Sequence, residues 1–420
     1  MRDTLGVLLA GGAGERLFPL TRDRAKPAVP FAGQYRIIDI TLSNCINSDL
    51  RHVYILTQYK ALSLNRHIRE GWGPVVASEL GEFIEILPPM QRVSKSWYQG
   101  TADAVFQNIY SIGSEEPKRV LILSGDHIYK MNYALMQEHH LASGAEVTLA
   151  TLPVAPSEVS AFGVVEVGKN GEVIGFVEKP KETAIRSPFN PEMVDVSMGI
   201  YLFNTDVLLP ELMRDAEDPD SKHDFGHDIL PKLLGKYKVQ AYNFVDENKQ
   251  RALYWRDVGT LEAYYEANMD VASVAPVFNL YDKAWPMRTR PYQYPPAKFV
   301  FGEPGRTGMA INSIASAGCI ISGAVIRNSV LSHDVRVNSY ADVDSSIIFS
   351  HGNIGRHCRI RHAIIDRDVH IPDGTVIGYD PVEDKKNYFV TPSGLTVVTR
   401  DYSVYENPVS PGFLGGDSGF

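Results

Sequence analysis

The stretch from Val325 to Ile377, VIRNSVLSHDVRVNSYADVDSSIIFSHGNIGRHCRIRHAIIDRDVHIPDGTVI, decides the architecture of the second half of the chain. Val325, Leu331, Val337 and Val343 fall six residues apart; after a step of five, Ile348, Ile354 and Ile360 repeat the spacing, as do Ile365, Ile371 and Ile377 after another. Gly, Ser, Asn, Asp and His fill the gaps. An aliphatic residue every six positions, with turn formers between, suits a parallel β-helix in which each flat side takes one repeat and the aliphatic column points inward. Leu331, Ile348 and Ile365 are 17 residues apart, which predicts triangular coils shortened by one residue at a corner. An antiparallel β domain with frequent turns is the competing reading.

Upstream the texture differs. Short apolar runs at Leu5–Ala10, His52–Thr57, Val120–Ser124, Val147–Leu152 and Gly199–Phe203 read as strands covered on both faces, and helical stretches such as Ala102–Ile112 and Tyr133–Leu141 lie between them. Their alternation predicts an α/β domain with a mostly parallel, Rossmann-like sheet. Phe162–Lys179 is the exception, a hairpin turning at Asn170-Gly171. A helix over Tyr265–Val274 closes this domain. The predicted division is 1–274, a linker at 275–309 rich in Pro and aromatic residues, and a β-helix over 310–420.

Composition excludes more than it proposes. A 420-residue chain with 44% hydrophobic and 22% charged residues is ordinary for a globular protein of two or three domains. Its net charge of −9 argues against bulk attraction to nucleic acid or anionic lipid, so an anionic ligand needs a local basic cluster. Cys45, Cys319 and Cys358 have no paired or zinc-like spacing and read as reduced thiols of a cytoplasmic protein. Neither a signal peptide nor a bilayer-spanning run is expected.

The first strand runs into Gly11-Gly12-Ala13-Gly14-Glu15-Arg16-Leu17. A glycine turn at the carboxyl end of a parallel strand suits a phosphate cradle, because backbone N–H groups can approach oxygens with no Cβ between. The turn lacks the Gly-Lys-Ser/Thr of a P-loop, and Leu17 stands where a dinucleotide fingerprint needs glycine. Between Glu15 and Arg36 stand Arg16, Arg22, Arg24, Lys26 and Arg36 against Glu15 and Asp23, a local reversal of sign suited to a nucleoside triphosphate. Solvated surface arginines are the plainer alternative. Asp126 ends a second buried run and Asp257 precedes a helix start, so the two could hold Mg²⁺, although either alone suits a turn or cap. His127 and the pair His139-His140 lack the partners of a metal site, and the pair reads as surface helix. Glu178-Lys179 could grip a sugar phosphate, or be an exposed ion pair. Tyr98-Gln99-Gly100-Thr101 is a glycine turn into a helix, with backbone polar groups for a base edge.

Leu9–Leu17, Ala25–Ala28, Tyr98–Ala104, Ser124–His127, Phe176–Pro180 and Trp255–Thr260, in that order, resemble the sugar nucleotidyltransferases. Phe31–Ser48 and Tyr129–Tyr133 are most similar to the bacterial ADP-glucose pyrophosphorylase family, and the repeats resemble its left-handed β-helix, so nearly the whole chain is covered. The resemblance implies ADP-glucose and pyrophosphate formed from ATP and glucose 1-phosphate, with Mg²⁺, for glycogen synthesis. It assigns catalysis to Arg16, Lys26, Asp126 and Asp257, with Asp126 and Asp257 on the metal. ATP falls to Leu9, Gly11, Gly12, Gln58, Gly100 and Thr101, and glucose 1-phosphate to Tyr98, Gly163, Glu178, Lys179 and Ser197. It further implies a cytoplasmic homotetramer controlled by anionic metabolites near the domain interface, through Arg24, Arg36 and Arg367. Asp23, Pro30 and Gln34 replace basic residues of the enteric pattern, which favours an effector less charged than a bisphosphate, such as a sugar monophosphate or pyruvate. Rival readings are uridylyl, thymidylyl or guanylyl transfer, a bifunctional uridylyl/acetyltransferase, and a non-catalytic regulatory subunit.

Overall fold

The computed structural model describes residues 1–400 apart from 13, 59, 90–96, 247–250 and 253. Its chain divides into two units, Met1–Gln293 and Tyr294–Phe420, of which 401–420 lie outside the described residues.

In the first unit the apolar runs become a nine-stranded sheet. Strands β1 (Thr4–Leu9), β2 (His52–Leu56), β3 (Phe83–Leu87) and β4 (Arg119–Ser124) pair in parallel in the order β4-β1-β2-β3. A short β5 (His127–Tyr129) follows β4 outside this sheet. Beyond β4 the sheet turns mixed: β6 (Val147–Val154) and the hairpin strands β7 (Gly163–Val167) and β8 (Val173–Glu178) precede β9 (Val194–Asn204). β9 is antiparallel to β4, β6 and β7, and β10 (Val239–Asn243) adds in parallel to β6. The hairpin turns at Asn170-Gly171 as expected, with Gly171 at φ 82°. Finally β11 (Trp255–Asp257) pairs with β5, setting Asp257 opposite His127.

Helix limits follow local chemistry. The helix expected over Ala102–Ile112 is two, Thr101–Phe106 and Ile109–Ser114. At the break the Asn108 amide donates to the Ala104 carbonyl (2.8 Å) and the Tyr98 hydroxyl (3.0 Å), a side chain competing with the backbone ladder. The closing helix runs Leu261–Ala272, earlier than expected, because Thr260 caps it by accepting from Ala263 N–H (3.2 Å). His140 is not a surface residue: it is buried, with Nδ1 2.8 Å from Thr148 Oγ1 and Nε2 3.1 Å from Asn204 Oδ1.

Residues 276–293 form no regular element, yet their packing explains a polar helix stripe. Asp39, Ser43, Asn44 and Asn47 lie on helix Ile37–Asn47, and the first three are fully buried. Asp39 accepts from Thr289 Oγ1 (2.7 Å), Ser43 from Arg288 N–H (2.8 Å) and Asn44 from Trp285 Nε1 (2.8 Å), while Asn47 donates to the Pro286 carbonyl (3.0 Å). Polar groups taken from water need such partners.

The second unit is a three-sided parallel β-helix. One side stacks Lys298–Val300, Ile320–Ser322, Arg336–Val337, Asn353–Ile354 and His370–Ile371; the second runs from Met309–Ile311 to Val376–Ile377, and the third from Ile314–Ala315 to Thr396–Val398. Leu331 pairs with Ile348 and Ile348 with Ile365, the 17-residue coil the spacing predicts. The first residue of the expected column is wrong by one: Val325 is half-buried, whereas Ile326 is fully buried and pairs with Val343. The strand Val325–Arg327 alternates around one inward side chain, so Ile326 must fill the column. The first rung begins at Lys298, within the stretch 275–309. After Ile377 the chain leaves the coil through a short helix, Pro381–Asp384, and a strand, Phe389–Val390, which runs antiparallel to Thr396–Val398. Cys45, Cys319 and Cys358 are all buried thiols. Among the described residues no helix is long and apolar enough to cross a membrane.

Candidate active site

Two parallel strands end side by side, and the chain beyond each turns across the sheet's carboxyl edge, where ligands of open α/β sheets collect. β1 leads into Ala10-Gly11-Gly12, and β4 leads through Gly125 to Asp126. Gly125 N–H donates to the Leu9 carbonyl (3.1 Å), locking the two ends together. Here lies a cavity of about 350 Å³ lined by Leu9, Gly11, Gly12, Gln58, Gly100 and Thr101, together with Lys26, Tyr98, Asp126 and Asp224. All six residues assigned to ATP therefore share one hollow.

The glycines differ in role. A Cβ on Gly11 would lie 3.2 Å from Gln58 Cβ, so Gly11 permits close approach, while Gly12 faces open space. Gly14 alone of the three takes a left-handed conformation, φ 66°, and a Cβ there would crowd Lys26 Cβ at 3.0 Å. Gly100 is demanded by packing: a Cβ would sit 2.2 Å from the His223 carbonyl oxygen.

Lys26 is the electrostatic centre. Its Nζ lies 2.7 Å from Asp126 Oδ2 and 3.1 Å from Asp257 Oδ1, with the lysine side chain 8% exposed. Burial alone would lower the ammonium's pKa, but the two carboxylates outweigh it, so the net shift is upward. Burial would likewise raise Asp126, and the Lys26 charge instead holds it well below the usual carboxylate range. Ser124 Oγ also donates to Asp126, and Arg16 Nη2, largely exposed, stands 3.8 Å from Asp257 Oδ2. His127, expected to lack metal-site partners, has them: one ligand atom each from Asp126, His127 and Asp257 lie within 4.8 Å of one another. The antiparallel pairing of β11 with β5 causes this, and apolar spacing carries no sign of it. Arg16 and Asp257 line a separate hollow of about 620 Å³ with Phe162 and Trp255.

The remaining assigned residues stand apart from the first cavity's wall. Glu178 Oε1 pairs with Lys179 Nζ at 2.8 Å, and Lys179 has φ 44°. The Glu178 carboxylate occupies a notch between two glycines: a Cβ on Gly163 or Gly226 would come within 2.8 or 2.6 Å of its Oε2. Ser197 Oγ is buried, 3.1 Å from Tyr201 Oη. Arg24 is buried; Arg36 donates to the Ser63 carbonyl (2.9 Å), and its N–H to Asp39 (2.8 Å). Arg367, in the second unit, lies 3.7 Å from Asp368. The basic run 16–36 is thus not one surface: only Lys26 reaches the first cavity.

Asp224 is a cavity residue the sequence reading passed over. It accepts from Thr101 Oγ1 (2.9 Å) and from Gly226 N–H (2.9 Å), so the residue that caps the helical turn Phe225–Ile229 is tied to the Gly100-Thr101 turn. Asp followed by Phe-Gly-His is a capping pattern and offered the one available signal.

Comparison with known proteins gives concordant results. Residues 5–274 match the family model described as Nucleotidyl transferase, and residues 295–398 match one described as GlmU-like, C-terminal hexapeptide. The chain is 73% identical over 409 residues to a protein of Koribacter versatilis, covering 97% of this chain and 98% of the relative. It is 53% identical over 414 residues to one of Rhodopirellula baltica (98% and 92%), and 50% identical over 400 residues to one of Methylococcus capsulatus (95% and 94%). All three relatives are named glucose-1-phosphate adenylyltransferase.

Proposed function

The chain belongs to the nucleotidyl transferase family, and from that premise we propose that it acts as a glucose-1-phosphate adenylyltransferase, joining ATP and glucose 1-phosphate into ADP-glucose with release of pyrophosphate. The observation that carries this reading is the cavity in which Gly11, Gly12, Gln58, Gly100 and Thr101, distant in sequence, meet Lys26 and Asp126.

The reaction asks little proton chemistry of the protein. A sugar phosphate with a second pKa of about 6 is largely ionised near neutral pH, so its oxygen attacks the α-phosphorus without a dedicated base. The P–O bond to the β-phosphate breaks as the new one forms, and pyrophosphate leaves with the electron pair. What remains is alignment and charge neutralisation. The glycine turn suits the triphosphate, and Gln58, Gly100 and Thr101 suit the base. Tyr98, Gly163, Glu178, Lys179 and Ser197 hold glucose 1-phosphate, with Lys179 orienting the attacking phosphate. Arg16 and Lys26 stabilise the departing pyrophosphate.

Asp126 and Asp257 fit a hard divalent cation: their carboxylates already converge on one cationic group, Lys26 Nζ. Mg²⁺ held there supplies neutralisation of phosphate charge. We assign Arg24, Arg36 and Arg367 to an anionic effector of low charge, and a cytoplasmic homotetramer to the working form in glycogen synthesis. Turnover of glucose 1-phosphate with ATP, UTP, dTTP and GTP, each with and without candidate effectors, tests the reading. ATP should be preferred at least tenfold; faster turnover with another nucleotide, or acetyl transfer to a glucosamine phosphate, would overturn it.

A further inference from the structure

The ammonium of Lys26 stands between the carboxylates that the proposed reaction assigns to a divalent ion. It bridges Asp126 Oδ2 and Asp257 Oδ1 at 2.7 and 3.1 Å from a side chain 8% exposed. These oxygens belong to different segments, one following β4 and the other in β11, and Lys26 clips them together. Mg²⁺ binds carboxylate oxygen at about 2.0–2.1 Å. A dication between the same oxygens and an ammonium in contact with both would repel strongly in a partly buried site.

The lysine has somewhere to go. Its stem is a flexible four-carbon chain, and Lys26 also lines the cavity of Gly11 and Gly12, where triphosphate oxygens would receive an ammonium. We infer that Lys26 is an exchangeable occupant of the divalent-ion site, neutralising Asp126 and Asp257 until the metal and nucleotide arrive together and turn its ammonium onto the phosphates. The inference rests on the metal assignment in the proposed function. Its consequence is ordered assembly: metal alone competes with Lys26 and binds weakly, whereas metal arriving with nucleotide gives the displaced charge a partner. Lys26 thereby joins metal occupancy to phosphate neutralisation.

The test is Mn²⁺ binding to the full chain without nucleotide, followed by electron paramagnetic resonance of the free ion, in wild type, Lys26→Met, Asp126→Asn and the double variant. Lys26→Met should bind Mn²⁺ at least tenfold more tightly than wild type, and Asp126→Asn should remove that gain. Equal or weaker binding by Lys26→Met, with Asp126→Asn still abolishing what wild type binds, overturns the exchange while leaving the metal assignment standing. Mn²⁺ binding indifferent to Asp126→Asn overturns both. Should Lys26→Met not fold, amine labelling of the wild-type chain read by mass spectrometry decides the matter. Labelling of Lys26 should rise severalfold at saturating Mn²⁺ without nucleotide, and unchanged labelling overturns the exchange.

Discussion

The repeating corners of the β-helix and the glycine turn after β1 meet the cost of left-handed backbone in opposite ways. In the β-helix, corners recur at Asn328, Ser345 and His362, at Asp334, His351 and Asp368, and at Tyr340, His357 and Gly374, every one at positive φ. With Gly323, 17 residues before Tyr340 and also at positive φ, only two of ten are glycine. Each set steps by 17 residues, and a corner N–H donates to a carbonyl of the preceding coil: His351 to His333 (3.1 Å), His357 to Ser339 (3.2 Å), His362 to Asp344 (3.2 Å), Asp368 to Ser350 (3.0 Å). The repeated bond offsets a local penalty of roughly 1–2 kcal/mol, so side chains are tolerated where glycine would be the default. The glycine turn after β1 has no such stack, and Gly14 takes its left-handed position against Lys26 and Thr21. Lys179 and His223, at φ 44° and 54°, are non-glycine residues next to proposed substrate residues, while Ala32, Asp49, Lys60 and Glu116 take positive φ elsewhere in the unit. Strain of that kind gathers at functional sites. A repeat can spread strain along its length, whereas a site must concentrate it.

The sharpest way to test this division is to separate activity from stability. Asp126→Asn should lower turnover by roughly 10²–10³-fold, with a melting temperature close to wild type; near-normal turnover would put the chemistry elsewhere. On the other side, Ile326→Ala should cost about 2–5 kcal/mol in denaturant unfolding and leave turnover at low temperature unchanged. Val325→Ala, one residue away on the half-buried side, should cost under about 1 kcal/mol, and equal losses would refute the inward phase set by Ile326.

Backbone effects come next. Gly14→Ala should destabilise by about 1–2 kcal/mol and weaken ATP binding, whereas Asn328→Gly should stay within about 1 kcal/mol of wild type. A large loss from Asn328→Gly would mean that corner side chains, not the ladder bonds, hold the coil. The smallest effect is a pH slope. Burial, the largest influence on His140, lowers its pKa below the ordinary value. Being depressed in the folded state, this base binds protons preferentially when unfolded, so stability is lost as pH falls through about 6.5 towards the lower folded value. His140→Gln should flatten stability measured between pH 7 and 5.5, and an unchanged slope would count against the shift.

Much of the architecture could be read from residue spacing, because a column of buried aliphatic residues imposes its period directly. Strand existence in the first unit was similarly legible: a strand covered on both faces must be apolar at consecutive positions. What escaped were features decided by contacts remote in sequence. Ile326 displaces Val325 only because neighbouring coils set which side chain points inward. His140 looks solvent-facing until Thr148 and Asn204 arrive from other segments, and the convergence of Asp257 on Asp126 depends on a strand pairing with no periodic signature. Asp224 required the start of the helical turn Phe225–Ile229 to fold back on Gly100 and Thr101.

The excursion after Ile377 has a bearing on how far the stack of coils can grow. Thr396–Val398 completes a side of the prism as its last parallel rung, and Phe389–Val390 then pairs with it in the opposite direction. Asp384, the buried last residue of the excursion's helix, accepts from Gly378 N–H (2.7 Å) and Thr396 Oγ1 (3.0 Å) and fastens the excursion in place. An uncovered parallel rung is a template on which another chain's rung can grow. Reversing the strand direction at that edge denies a further coil its parallel template on this side of the prism.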